Sequence, residues 1–303
     1  MPADSLSRRT AALLLAIVIV AWGFNWTVGK AVLQYLPPIW ATAMRTVPAC
    51  LMLWAFFLVS RRLVVPVRAD LPVLLSVGLL HMVAFSVLAS IGLMFLPAGR
   101  SVVLAYTTPL WVLPAAYFFL REALNRRSLL GLLLGMAGLI ALLQPGALDW
   151  SDRDTLLGHA LILLAAACWA ACIVYGRAHN WVTPPFQLLP WQTLIASVLQ
   201  VLFALLFEGL PRFEWNTELV WLLGYGSVIG TVLAYWAMNT VNRGLPASVT
   251  SMALLGVPLV GLAASVLMLG ERPDATLLAA TAMIVAGIAL GTGRGSGARR
   301  APR

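Results

Sequence analysis

The feature that most constrains this sequence is a spacing of two prolines and a glutamate that occurs twice. The first set is Pro97, Pro109 and Glu122. The second set repeats both intervals and consists of Pro246, Pro258 and Glu271. A glycine follows each glutamate at one further matching interval, as Gly138 and Gly287. The sequence is therefore predicted to be a tandem duplication in which each copy is one structural unit.

Each copy consists of long, uninterrupted apolar runs. Only 10% of the residues are charged, against about 25% in ordinary soluble proteins. Runs of about 18 or more apolar residues cross the hydrocarbon core as helices, whereas strands of a β-barrel show alternation over about ten residues. We predict an all-α integral membrane protein with ten transmembrane helices. The spans are residues 10–32, 39–60, 71–95, 98–120, 128–145, 156–178, 186–208, 218–241, 246–269 and 275–292.

Basic residues in the loops and near the ends of the spans predict the orientation. If the N-terminus is cytoplasmic, fourteen arginines fall on that side and five basic residues fall outside. The positive-inside rule then places the N- and C-termini in the cytoplasm. Because five spans is an odd number, the second copy enters the membrane from the opposite side. The domains are thus two inverted five-helix repeats, 1–148 and 149–292, followed by a disordered cytoplasmic tail, 293–303.

One motif in the first span and several in the fourth and ninth spans have a characteristic order. Trp-Gly-Phe-Asn-Trp occupies 22–26, Leu-Pro-Ala begins the fourth and ninth spans, and each of these spans has a mid-span proline and a closing glutamate. In order and spacing, these motifs resemble the EamA-type branch of the drug/metabolite transporter superfamily over nearly the whole chain. The resemblance implies a ten-helix secondary transporter, and many members of the group export amino acids and related metabolites. The second copy departs from the pattern because Trp169 is followed by Ala-Ala-Cys-Ile, without the glycine and asparagine.

Inverted repeats are typical of alternating-access transporters, in which two halves rock around a site near the bilayer midplane. The repeats therefore predict a multi-pass transporter in the cytoplasmic (inner) membrane, and the family resemblance implies that it is an exporter. Its predicted substrates are amino acids, with hydrophobic or aromatic side chains, or related small metabolites. The alternatives are an exporter of cationic compounds or nucleosides with the same fold, a channel, and an integral membrane transferase.

Other partners and activities have little support in the sequence. No convergent set of catalytic groups is present, so an enzyme is not expected. No Gly-x-x-x-x-Gly-Lys-Ser/Thr loop is present to bind a nucleotide, so transport is predicted to be facilitated or coupled to an ion gradient. The net charge of +9 comes from basic residues in loops and does not predict nucleic-acid binding. Cys168 and Cys172 have no acid or histidine beside them, so neither a metal nor a cofactor is expected.

The first span carries a stripe of aromatic and polar residues. Trp22, Asn25, Trp26 and Gly29 fall on one helical face. An asparagine facing lipid would leave its amide unpaired, so the stripe should face protein or a cavity. We predict that Trp22 forms a wall of the substrate path and that Asn25 hydrogen-bonds the substrate. The alternative is that Asn25 bridges two helices.

Further aromatic and polar side chains at membrane depth complete the predicted site. His81 lies inside the third span, where it would relay a proton, contact a substrate or serve as a neutral hydrogen-bonding group. Tyr106 and Tyr235 each offer a ring and a hydroxyl. Arg45 either holds a substrate carboxylate or extends outward to the membrane surface. The predicted substrate-binding residues are Trp22, Asn25, His81, Tyr106, Trp169 and Tyr235.

Prolines and glutamates of the repeated spacing have predicted mechanical roles. Pro109 and Pro258 each remove one backbone hydrogen bond and should bend their helices. They are predicted to be gating hinges, with a static kink as the alternative. Glu122 and Glu271 end helices at opposite faces, where they are expected to bind arginines or backbone donors.

Small residues spaced by about four predict a close helix contact in the fifth and tenth spans. The contact either joins the two halves or forms a dimer surface, so both a monomer and a homodimer are consistent with the sequence. The glycines are Gly131, Gly135, Gly138, Gly287 and Gly291.

Overall fold

The computed structural model describes residues 8–121, 126–143, 151–211, 213–244 and 253–292. Over these ranges the protein is helical, and no strand occurs in them. Eight segments are long and apolar enough to cross a membrane, and two shorter apolar helices follow them. The predicted tail, 293–303, lies outside the described residues. The segments are α1 (Arg8–Val32), α2 (Pro38–Val59), α3 (Arg68–Phe95), α4 (Ala98–Leu120), α5 (Arg126–Leu143), α6 (Arg153–Ala178), α7 (Pro185–Phe207), α8 (217–244), α9 (Gly256–Leu269) and α10 (Ala275–Thr292).

The contacts between helices are the same in the two copies when each helix is exchanged for its counterpart, five helices away in the chain. Helix α1 packs on α9, and α6 packs correspondingly on α4. Helix α3 packs on α6, and α8 packs on α1. The pairs α2–α7 and α5–α10 are each their own counterparts. This exchange symmetry is the packing expected of a duplicated five-helix unit.

Contacts between helix ends define two faces of the bundle. The Glu208 carboxylate, at the end of α7, accepts a hydrogen bond of 2.8 Å from the backbone N–H of Ile39, at the start of α2. The Glu271 carboxylate, just after α9, accepts one of 2.6 Å from the N–H of Ala98, at the start of α4. The predicted binding of backbone donors by Glu271 is thus confirmed, whereas Glu122 lies outside the described residues. The Glu208 and Glu271 contacts lie on the side of the bundle away from the start of α1. We call that side the opposite face, and we call the side where α1 begins the terminal face.

Helices α3 and α8 contain π-helices at matching positions in the two copies. A π-helix is rare, and such widened turns occur frequently at functional sites. Both segments lie in the middle of their helices, so the duplication extends to this irregular geometry. In order, α3 comprises Arg68–Asp70, Leu71–Ser76, the π-helix Val77–Phe85 and Ser86–Phe95, and α8 comprises Thr217–Gly224, the π-helix Tyr225–Leu233 and Ala234–Gly244.

The fourth span is two helices, and the ninth has a turn at the matching place. In α4, Ala98–Ala105 and Thr108–Leu120 are separated by a turn at 106–107, and a turn at 254–255 precedes α9. The expectation of a proline bending one continuous helix is therefore corrected. Pro109 and Pro258 lie in the first turn of a new helix, where a backbone donor is not required.

The glycine stripe packs α5 against α10. A Cβ atom on Gly287 would lie 2.6 Å from the carbonyl oxygen of Gly131 and 2.6 Å from the nitrogen of Gly135. A Cβ on Gly138 would lie 3.0 Å from the carbonyl oxygen of Ala280. Only glycine permits this approach of two backbones, so the stripe joins the two copies, as one of the two alternatives predicted.

Candidate functional site

A cavity lies in the middle of the bundle, lined mainly by α1, α2, α3 and α8. Its lining residues belong to the second halves of α1 and α3 and to the first parts of α2 and α8. Because these helices alternate in direction, the cavity extends from the bundle centre toward the opposite face. The lining includes every predicted substrate-binding residue: Trp22, Asn25, His81, Tyr106, Trp169 and Tyr235.

Packed apolar side chains close the cavity on its terminal side. Leu14, Leu15 and Val18 of α1 form one buried cluster with Ala237 and Val241 of α8. The same two helices line the cavity one or two turns further along. The bundle is therefore closed toward the terminal face along the α1–α8 contact.

Aromatic rings form the floor of the cavity. Trp22 meets Tyr235 edge-on, with ring centroids 5.9 Å apart. Trp169 stacks on His81 at 5.3 Å and meets Tyr106 edge-on at 5.7 Å. The Trp22 contact joins α1 to α8, and the Trp169–His81 contact joins α6 to α3, so each tryptophan touches the other copy. These edge-on and stacked contacts are the geometries that aromatic pairs prefer.

The predicted stripe on α1 faces the π-helix of α8. The Trp22 indole Nε1–H donates a hydrogen bond of 3.3 Å to the carbonyl oxygen of Gly230. A Cβ on Gly230 would lie 2.6 Å from Oδ1 of Asn25. Asn25 has no hydrogen-bond partner among the described residues, so it does not bridge two helices by its amide. Its amide is free to bind a solute in the cavity.

His81 lies in the π-helix of α3, among rings from both copies. Its Nδ1 is 3.4 Å from the Tyr235 hydroxyl. Phe85, one turn later on α3, packs its ring 5.5 Å from the imidazole. His81 thus lines the cavity with Trp169 stacked on its ring and a tyrosine hydroxyl near Nδ1.

Arg45 is a cavity residue whose role the sequence left open. It is half-buried on α2 and lines the cavity, which has no carboxylate in its described lining. Arg100 pairs with Asp274 and His179 contacts Asp70, and neither contact involves Arg45. The available signal was an arginine within an apolar span that has no acid in the same span.

Trp26 and Phe85 also line the cavity, although neither was among the predicted site residues. Their rings meet edge-on at 6.4 Å. Trp26 follows from its place on the α1 stripe, and Phe85 from its position one turn after His81. Helical spacing had already placed Trp26 on the predicted stripe, and the same spacing around His81 would have found Phe85.

Lys30, at the end of α1, has a structural role instead. Its Nζ donates hydrogen bonds to the carbonyl oxygens of Leu93 at 2.6 Å and Leu96 at 3.0 Å. A cation at a helix C-terminus satisfies carbonyl groups that have no partner within the helix. Lys30 therefore caps α3 and fixes it to α1 at the opposite face.

Known proteins share this chain's sequence over almost its full length. It is 26% identical over 279 residues to the uncharacterized transporter YoaV of Bacillus subtilis, covering 91% of this chain and 94% of the relative. It is 28% identical to a protein named probable amino-acid metabolite efflux pump in Salmonella typhimurium, and 27% identical to one of that name in Escherichia coli. Each alignment covers 93% of this chain and 94% of the relative.

A solved structure shows the fold of this chain, and a family model shows its family. A crystal structure of a protein 21% identical in sequence superposes with a TM-score of 0.66, covering 94% of this chain and 96% of that one, which shows the same fold. The model of the EamA-like transporter family matches twice, at residues 9–144 and 156–292. The family and the named relatives are transporters and not enzymes. With its repeated domain matched over most of its length, the chain belongs to the EamA-like transporter family.

Proposed function

We propose that this protein is a secondary transporter that exports amino acids, with hydrophobic or aromatic side chains, or related small metabolites by alternating access. The observation that carries the proposal is a cavity shared by both copies, extending toward one face and closed toward the other. In an inverted repeat, rocking of one half against the other transfers the closure to the second face. A solute bound in the cavity would then be released on the side opposite to its entry.

The orientation belongs to the same proposal. All ten helices cross the cytoplasmic membrane as two inverted repeats, 1–148 and 149–292, with both termini and the 293–303 tail in the cytoplasm. The support is the distribution of basic residues, fourteen on the terminal side against five on the other. In this orientation the cavity faces the outside, which is the state from which an exporter releases its substrate.

The lining of the cavity favours a solute with an apolar body and a few polar groups. Trp22, Trp169 and Tyr106 supply flat apolar surface, and Asn25 and His81 supply hydrogen-bonding groups. The two relatives named as amino-acid metabolite efflux pumps support the same class. Aromatic walls also bind organic cations, so cationic compounds and nucleosides are the competing substrates.

The proposed energy source is the substrate gradient itself or a proton gradient. Of the three histidines in the sequence, only His81 lines the cavity, and it lies 3.4 Å from a tyrosine hydroxyl. The proposed gating hinges are Pro109 and Pro258. Each follows a two-residue turn within its span, where the N–H groups of Thr107 and Val257 bond to carbonyls three residues back instead of four.

Counterflow in proteoliposomes tests the proposal. Vesicles are loaded with one unlabelled amino acid, and a trace of the same labelled amino acid is added outside. An alternating-access transporter accumulates label transiently and saturably for its own substrates. Non-saturable leakage would instead identify a channel. No counterflow of any amino acid by folded protein would reject the substrate class and direct the assay to cationic compounds and nucleosides.

Two variants test the cavity residues in the same assay. Trp22→Ala and His81→Ala are expected to reduce the counterflow rate strongly, because each removes a ring from the floor. Trp215→Ala is the matched control, since Trp215 is 63% exposed and does not line the cavity. Unchanged transport in both cavity variants would reject the predicted site.

A further inference from the structure

Arg45 is the only charged side chain in the cavity lining, among the described residues, apart from the titratable His81 and tyrosines. It lies two turns into α2, which begins at Pro38, and this places it about 10 Å along the helix axis. Its aliphatic stem packs on α8, because a Cβ atom on Gly226 would lie 2.9 Å from Cδ of Arg45. The missing side chain at Gly226 therefore makes the room that the arginine occupies beside α8.

The Arg45 guanidinium has no anionic partner in the described protein. Asp70 and Asp274 lie at helix ends and bind other residues, His179 and Arg100 respectively. A charged group at membrane depth is unfavourable unless it is paired or faces a cavity. An arginine is placed favourably here if an anionic group of a solute pairs with it.

Two glycines of the α8 π-helix bring Arg45 and Asn25 to one wall of the cavity. Gly226 adjoins Arg45, and Gly230, one turn later, adjoins Asn25. Residues one turn apart lie on nearly the same side of the helix, so the aliphatic stem of Arg45 from α2 and the amide of Asn25 from α1 flank one face of α8. The aromatic floor around Trp22 lies beyond them.

We propose that Arg45 binds the carboxylate of the transported solute, so that the substrates are small carboxylates, zwitterionic amino acids included. A guanidinium presents parallel N–H donors that match the two oxygens of a carboxylate. Asn25 then binds a second polar group of the solute, and the apolar body packs on the rings. This inference rests on the proposed transport function, and it selects carboxylates over organic cations and nucleosides.

Ligands that differ in one group test the inference on the unmodified protein. Thermal unfolding of detergent-purified protein is followed with amino acids and with simple monocarboxylates. Phenylalanine, 3-phenylpropionate and phenethylamine form the key set, because only the first two carry a carboxylate. Carboxylates are expected to raise the melting temperature, and phenethylamine is expected to leave it unchanged. The inference would be overturned if phenethylamine alone raised the melting temperature, or if none of the carboxylates raised it.

Variants at Arg45 test the residue itself. Arg45→Gln is expected to weaken carboxylate binding at least about tenfold, because one partner of a charge pair is removed. Arg45→Lys should recover part of the affinity, since the charge stays while the two-pronged geometry is lost. Arg100→Gln is the control, because Arg100 pairs with Asp274 away from the cavity. Equal binding by Arg45→Gln and the parent protein would overturn the inference and indicate an arginine that extends to the surface.

The two proposals fail in different ways. Absence of counterflow for every amino acid would reject the proposed substrate of the transporter, while carboxylate binding that depends on Arg45 would still support the inference. Normal counterflow of an amino acid by Arg45→Gln would reject the inference alone. If Arg45→Gln does not fold, Arg45→Lys and the ligand set on the parent protein decide the question.

Discussion

The α5–α10 contact and the central cavity both depend on glycine, but they use it differently. At the α5–α10 contact, a Cβ on Gly287 would meet backbone atoms of Gly131 and Gly135 at 2.6 Å. At the cavity, a Cβ on Gly230 would meet Oδ1 of Asn25, also at 2.6 Å. The distances are equal, yet the first neighbours are fixed backbone and the second is the end of a side chain.

This difference indicates which part of the bundle is rigid and which part can change. Backbone in contact with backbone leaves no side chain to adjust, so α5 and α10 form a fixed seam between the copies. Gly226 and Gly230 of α8 adjoin the side chains of Arg45 and Asn25 at the cavity, where a side chain can turn aside. The glycines of one fold thus serve rigid packing in one region and room for functional groups in the other.

The largest expected effect is that of Gly287→Ala. The added methyl group would overlap backbone atoms that cannot retreat, so we expect destabilisation at the upper end of the overpacking range, about 3 kcal/mol. Thermal unfolding of the purified protein measures it. Gly224→Ala is the control, because a Cβ at that position has nothing within 4 Å beyond its chain neighbours and the adjacent backbone of its own helix. Equal melting temperatures for the two variants would show that the α5–α10 seam is not rigid.

A smaller loss of stability is expected from Asp70→Asn, which tests how the cavity helix α3 is held at the terminal face. The fully buried Asp70 carboxylate accepts hydrogen bonds from the N–H groups of Val182 and Thr183, at 3.1 and 2.7 Å, and lies 3.1 Å from His179 Nε2. An amide replaces one acceptor oxygen by a donor, which costs about 2 kcal/mol when a buried group loses its partner.

The matched variant is Glu208→Gln at the opposite face. Glu208 also accepts from the start of a helix but is only partly buried, so water can replace the lost bond. We expect a smaller fall in melting temperature than for Asp70→Asn. A larger fall for Glu208→Gln would show that the Asp70 contacts at the terminal face contribute less to stability than the Glu208 contacts at the opposite face.

Gly230→Ala is expected to leave the fold intact and to impair transport. The methyl group displaces the Asn25 amide from the cavity wall, and the loss of one hydrogen bond to substrate corresponds to about a tenfold fall in the rate at low substrate concentration. Counterflow and thermal unfolding are measured together. A fall in melting temperature as large as that of Gly287→Ala would contradict the distinction between the two regions.

The smallest effect is expected from Tyr35→Phe, at the rim of the opposite face. The Tyr35 hydroxyl donates a hydrogen bond of 2.7 Å to the Glu218 carboxylate, and this bond raises the pKa of Tyr35 above its ordinary value. A raised pKa in the folded state means that any stabilisation is present below the unfolded pKa of about 10 and is lost at higher pH. Because the pair is exposed, the variant should melt like the parent at pH 7. A clear difference in melting temperature at pH 7 would show that the hydrogen bond between Tyr35 and Glu218 contributes to stability.

Long apolar runs and matched spacings predicted much of the fold. The structure has helical segments at the predicted places, the glycine stripe packs one copy on the other, and the six predicted site residues line one cavity. Their role in substrate binding remains a prediction. These features follow from local composition and spacing, which a single sequence contains.

Other features depend on partners that lie far away in the sequence. Nothing in the sequence marks the π-helices of α3 and α8. Both lie in long apolar spans, and a uniformly apolar span has no polar positions whose spacing would show a change of helical period. The turn at 106–107 precedes Pro109, yet the proline alone predicted only a bend. Arg45 remained open because the glycine beside it, Gly226, belongs to α8 in the other copy.

The π-helices also tie the movements of the two copies to each other. A widened turn leaves carbonyl groups that need donors from elsewhere, and lipid offers none. Trp22 of the first copy donates to Gly230 in the second, and Gln200 of the second copy donates to Met82 in the first, at 3.3 and 2.7 Å. If either segment returned to regular α-helical geometry, it would lose a bond to the opposite copy. The two repeats are therefore joined in both directions at the bilayer depth of their π-helices, each supplying a donor to the widened segment of the other.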